Sequence, residues 1–171
     1  MRTRAVLTAV AAVVGVLFPL PASAAVPPGR APGAVGGSAD GKTGPLRFQQ
    51  ATGVDGVQSV INCEVLASPI RKSAATASGV GYVQCLTDQG EQAPMTYIDL
   101  RILLFRRSET GLAGEYQEVG SGRGLITGAA DAPCRTDDHF TFADSYLVPP
   151  PGYEPPHALI SDTSPFVRIT C

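Results

Sequence analysis

The chain holds 171 residues, with 13 Lys and Arg against 15 Asp and Glu, 44% apolar residues and no Trp. A formal charge of −2 without grouped cations argues against nucleic acid or an anionic lipid surface as partner, since both are held by clustered Lys and Arg. With four Cys and two His, the residues able to carry nucleophilic or metal chemistry are few.

The N-terminus predicts export. Arg2 and Arg4 precede an apolar run from Ala5 to Phe18, Pro19 and Pro21 break it, and Ala22-Ser23-Ala24 supplies the small residues a signal peptidase needs before Ala25. Residues 1–24 are therefore expected to be a signal peptide, cleaved between Ala24 and Ala25. Cleavage leaves 147 residues carrying 11 basic and 15 acidic groups, a formal charge of −4. The run is short for a bilayer span, which takes about 20 apolar residues. No cysteine precedes Cys63 and no later stretch resembles a transmembrane helix, so no membrane anchor is expected after cleavage. The expected location is secreted, either extracellular or associated with the cell wall.

Residues 25–45 are rich in Pro, Gly and Ala, with too little apolar side chain to fold alone, and read as a flexible lead. Residues 46–171 form the predicted domain. Within it, Asp55-Gly56 precedes a strand from Val57 to Cys63, and a second runs from Gly79 to Leu86 up to the turn Asp88-Gln89-Gly90. The longest strand follows. Ile98, Leu100, Ile102 and Leu104 alternate with Tyr97, Asp99 and Arg101, a period of two that buries one face. Leu103 and Phe105 make the second face apolar further on, which predicts cover on both sides there, and Arg106-Arg107 reads as a charged strand end facing water.

Glu115 to Val119 alternates with acids and reads as an outer strand, Leu125 to Thr127 as a weak strand and Phe140 to Val148 as a stronger one. A proline loop, Pro149 to Pro156, is either a crossover between sheets or a recognition loop presenting Tyr153. The last strand is Phe166 to Cys171. Lys72 to Ala77 offers a short helical turn. Six to seven short strands with Gly and Pro between them predict an all-β fold, an antiparallel β-sandwich.

Cys63, Cys85, Cys134 and Cys171 are even in number and lie in an exported chain, which predicts two disulfides. Three pairings are possible. The expected one is Cys63 with Cys85 and Cys134 with Cys171, because each then ties a strand to a near neighbour in the chain. No pair has zinc-type or CxxC spacing, so neither a metal nor a cofactor is expected.

His139 and His157 are the only histidines, and both read as exposed. Asp137 and Asp138, with Asp131 or Asp144, offer a weak cation loop without EF-hand spacing. Gly120-Ser121-Gly122-Arg123-Gly124 lacks the context of a phosphate loop or a nucleophile elbow and reads as a strand connection. Asp99, Glu115 and Glu118 are the carboxylates from which a glycosidase pair would be drawn. No pattern among these residues specifies a reaction.

The segments Ile61-Asn62-Cys63, Val83-Gln84-Cys85 and Ser164-Pro165-Phe166-Val167-Arg168-Ile169-Thr170-Cys171, following an alanine-rich leader, resemble the small secreted two-disulfide β-rich proteins of actinobacteria. That resemblance implies secretion and a disulfide-linked β fold, and no activity. Pro94-Met95-Thr96-Tyr97 is also similar to a segment of the secreted subtilisin inhibitors of the same bacteria, although Ala93 stands where their reactive-loop cysteine would be and the cysteine spacing differs.

The function expected from these residues is a secreted binding module whose partner is an extracellular protein, a wall polymer or a small ligand. The alternatives are a protease inhibitor acting through Ala132-Pro133-Cys134-Arg135 and, behind it, an extracellular hydrolase.

Overall fold

A computed structural model describes residues 44–50 and 59–171. The predicted signal peptide with Ala24 and Ala25, most of the segment 25–45, and the turn at Asp55-Gly56 lie outside the described residues.

Ten antiparallel strands and no helix occur among the described residues: β1 (Leu46–Gln50), β2 (Val60–Arg71), β3 (Thr76–Thr87), β4 (Tyr97–Arg106), β5 (Leu112–Gly120), β6 (Leu125–Pro133), β7 (Asp137–Val148), β8 (Tyr153–Glu154), β9 (Ala158–Thr163) and β10 (Val167–Ile169). They form two sheets. The first has the order β6-β3-β2-β1-β8, and the second has the order β10-β7-β4-β5, with β9 also paired to β7. The all-β sandwich expected from the sequence is present, with three strands more than its upper count. β1, β8 and β9 were not anticipated, because five, two and six residues beside proline-rich or polar stretches give little alternation to read.

β4 is central in the second sheet, and its period of two is realised in full. Ile98, Leu100, Ile102 and Leu104 are all completely buried between the sheets, where they meet Val83, Ile126, Ala143 and Leu147. Residues on its other face correct the expectation of double cover. Leu103 and Phe105 are only half-buried and belong to the outer face, where Phe105 stacks on Phe140 at 4.7 Å. Cross-strand aromatic packing shields them instead of a further layer.

Arg106 is a second correction. It is 6% exposed, and its guanidinium donates to Glu109 at 2.8 Å and to the carbonyl of Pro133 at 2.6 Å. The strand end therefore turns one charge inward, where a carboxylate and a carbonyl receive it, while Arg107 stays outside over the ring of Phe166. The span from Lys72 to Ala77 is also non-helical. β2 runs on to Arg71, and a tight turn in which Lys72 and Ser73 donate to the Thr76 carbonyl leads into β3.

Both expected disulfides are formed, Cys63–Cys85 and Cys134–Cys171. The first joins register partners on adjacent strands in the buried core, and the second ties the end of the chain to the residue after β6. No helix among the described residues is long and apolar enough to cross a membrane.

Candidate functional site

Because alternate residues of a strand point to opposite faces, the register of the second sheet decides which side chains meet on its outer surface. Arg101 on β4 lies opposite Gln117 on β5 and Asp144 on β7. One row along, Asp99 faces Tyr146, which in turn faces Leu159 on β9. Together with Glu115 these residues line an open hollow of about 250 Å³.

Four of its polar groups are held in two pairs. Arg101 donates to both oxygens of Asp144, at 3.1 and 2.7 Å, a two-pronged geometry that suits a planar guanidinium. That hydrogen bond is the main reason its pKa is raised further. The amide of Gln117 donates to Asp99 at 2.9 and 3.1 Å. Tyr146 stands at the rim between Tyr97, in edge contact at 6.2 Å, and His157, at 5.8 Å. Burial, then the charge of Asp99, then Tyr146, raises the Tyr97 phenol above its ordinary value, so it remains a neutral hydrogen-bonding group at neutral pH.

The same face becomes apolar beyond Leu103. Phe140 lies between Phe105 and Phe166, with the Phe166 ring 4.9 Å away and edge-on. Phe166 is 55% exposed. One sheet face thus carries three carboxylates, a guanidinium and an amide beside a tyrosine, and then an aromatic cluster.

The other residues singled out in the sequence are placed as follows. Of the three carboxylates weighed as a catalytic pair, Asp99 and Glu115 share the hollow, whereas Glu118 lies on the opposite face of β5 and receives bonds from the Tyr116 hydroxyl and Arg123. His139 is not exposed. It is fully buried, with Nδ1 at 3.1 Å from the Asp137 carbonyl, because its position in β7 has inward parity. His157 packs beside Tyr146.

The acids of the proposed cation loop are separated: Asp131 bonds Lys72 and Ser78, Asp144 bonds Arg101, Asp137 bonds Ser108, and Asp138 meets Arg107 and Arg168. Among the described residues, no three His, Cys, Asp or Glu side chains are grouped as a metal site. Gly120 to Gly124 is the link that carries the chain from β5 in the second sheet to β6 in the first. Gly124 fits there because a β-carbon would stand 2.8 Å from the Ala93 carbonyl oxygen.

The proline loop is a crossover. It leaves β7, places β8 beside β1 in the first sheet, and sets Tyr153 against the core before returning to β9. Ala132 and Pro133 end strand β6, and the Cys134 N–H is bonded to the Ala75 carbonyl at 2.8 Å. Arg135 is exposed and paired with Glu109. Ala132 and Pro133 thus lie in the sheet, while Cys134 and Arg135 belong to the short connection from β6 to β7, tied down by the Cys134–Cys171 disulfide.

The composition of the hollow was not legible in the sequence. Asp99 and Arg101 alternate visibly, but Asp144 and Gln117 join them only through strand pairing. Comparison with family models, curated proteins and solved structures found no match to this chain.

Proposed function

We propose that this chain is a secreted binding module that holds an extracellular glycan on the outer face of its second sheet. The observation that carries the reading is the hollow in which the Arg101–Asp144 and Gln117–Asp99 pairs are fixed beside Tyr146. A sugar offers hydroxyls that both donate and accept, together with apolar C–H faces. Carboxylate oxygens, an amide and a guanidinium in fixed positions meet the first need, and a tyrosine ring meets the second. Because the groups are already held, little rotamer freedom is lost on binding.

Charge narrows the class. The three carboxylates and one guanidinium of the hollow disfavour a polyanion and favour a neutral or amino-bearing polysaccharide. The leader and the two disulfides support an extracellular setting for such an encounter.

The test is isothermal titration of the mature protein with cellohexaose, xylohexaose and chitohexaose, with pull-down on insoluble wall glycan in parallel. Saturable binding to at least one of these is expected, weakened tenfold or more in Tyr146→Ala and in Asp99→Asn while the circular dichroism spectrum stays unchanged. Binding to none of them, or binding indifferent to both substitutions, overturns the reading.

A further inference from the structure

The two disulfides differ in what surrounds them. Cys63 and Cys85 are 1% and 0% exposed, so a thiolate reaches that bond only after the sandwich has opened. Cys171 is exposed and Cys134 is half-buried, with Cys134 in the connection from β6 to β7 and Cys171 beyond β10. Thiol–disulfide exchange needs direct access to one sulfur, and Cys171 offers it in the folded protein.

The segment 165–171 that this bond ties down has little else to hold it. Ile169 is its one buried residue, and the rest are exposed. β10 pairs with β7 only through Val167, Arg168 and Ile169. The further contacts lie at the surface: Arg168 meets Asp138 at 3.4 Å, Phe166 stands edge-on to Phe140 at 4.9 Å, and the Cys171 N–H donates to the hydroxyl of the exposed Thr136 at 2.9 Å. Exposed ion pairs contribute little, and one buried aliphatic side chain does not offset the chain entropy lost in ordering the whole segment. The covalent bond therefore decides whether β10 stays docked. Upstream the hold is firm. Ser164 is buried, its N–H donates to the Thr141 carbonyl and its hydroxyl accepts the Thr141 N–H, both at 2.9 Å, so detachment stops there.

We propose that Cys134–Cys171 is a thiol-operated latch: a dithiol reduces it in the folded protein while Cys63–Cys85 stays intact, and its opening releases β10 from β7. One thiolate of the dithiol attacks Sγ of Cys171, which breaks the S–S bond, forms a mixed disulfide and expels the Cys134 thiolate. The second thiolate of the same reagent then displaces Sγ of Cys171. The dithiol is left oxidised as an internal disulfide, its two electrons pass to the two protein sulfurs, and these take up the two protons it gave up. Opening uncovers the edge of β7 from Asp137 to His139 and the core seat of Ile169, while the buried bond keeps β2 and β3 joined.

The test is timed reduction of the mature protein by dithiothreitol in native buffer, quenched with iodoacetamide and read by intact and peptide mass. Cys134 and Cys171 are expected to be alkylated tenfold or more faster than Cys63 and Cys85, giving a form with two alkyl groups per chain. In that form hydrogen exchange across Val167 to Ile169 should rise tenfold or more, while the amides of Ile98 to Leu104 keep their protection. Removing dithiothreitol from an unalkylated sample and admitting air should restore the slow exchange. The proposal is overturned if all four cysteines react together, if Cys63 and Cys85 react first, or if β10 keeps its protection in the two-alkyl form.

Discussion

Asp162 on β9 accepts the backbone N–H of Ala67 on β2 at 3.0 Å, a buried hydrogen bond that joins the second sheet to the edge of the first. Among the described residues β1 covers β2 only from Val60 to Cys63, and beyond that point the N–H groups of β2 on that side have no strand partner there. Ala67 points its N–H that way, and by alternation so does position 69, where Pro69 has none to offer. A carboxylate and a proline thus close an edge that would otherwise be open to pairing with another chain. Asp162→Ala is expected to lower stability by about 1–3 kcal/mol, the usual cost of leaving a buried donor unmet. Native-state hydrogen exchange should show the Ala67 amide accelerated beyond the global change. An unaltered Ala67 amide would mean that the carboxylate does not protect this edge.

Gly128 on β6 lies under the ring of Tyr116. A β-carbon there would stand 2.0 Å from Tyr116 Cε1, too close for the ring to remain where it is. Gly128→Ala is expected to destabilise the fold by about 1–3 kcal/mol through overpacking. Tyr116→Ala should recover part of that loss, because the two side chains compete for one space and their effects cannot add. Urea unfolding of both single variants and the double variant measures the coupling. Strict additivity would contradict the contact.

Asp137 connects the β4–β5 turn to β7. Its carboxylate accepts the hydroxyl and the backbone N–H of Ser108, which bring its pKa down from 3.8 to about 2. A folded-state pKa below the unfolded one favours the folded state above pH 3.8, and the contribution is lost as pH falls through about 2. Unfolding followed from pH 5 to pH 1.5 should therefore weaken across that window in the native chain. Asp137→Asn should be less stable at pH 5 and show a shallower fall. Parallel curves for the two would place the acid sensitivity elsewhere.

The disulfides close loops with sequence separations of 22 and 37 residues, which on the chain-entropy model stabilise the fold by about 3–4 kcal/mol each. Their removal should differ in kind. Replacing Cys134 and Cys171 by Ser should release β10, exposing the amides of Val167 to Ile169, while the core stays cooperative. Replacing Cys63 and Cys85 cuts a fully covered cross-strand link and should lower the global transition. Intact mass after alkylation, followed by thermal melts of the two variants, separates these outcomes. Equal exchange of β10 in both would contradict the local role of the second bond.

The alternation of Ile98, Leu100, Ile102 and Leu104 was enough to specify β4 and the face it buries, because a strand's side-chain period is a local property of the backbone. The cysteine count and spacing likewise determined two disulfides, and short chain separation favoured the pairing that occurs. Local pattern also placed β5 at a sheet edge through its exposed acids. It could not tell that Arg106 turns inward, since the Pro133 carbonyl and Glu109 that receive it are brought there by other strands and a turn. The same holds for His139, whose acidic neighbours in sequence made a core position look solvated. The hollow around Arg101 is a product of register: each row draws residues from strands far apart in the chain, and only pairing decides which side chains become neighbours.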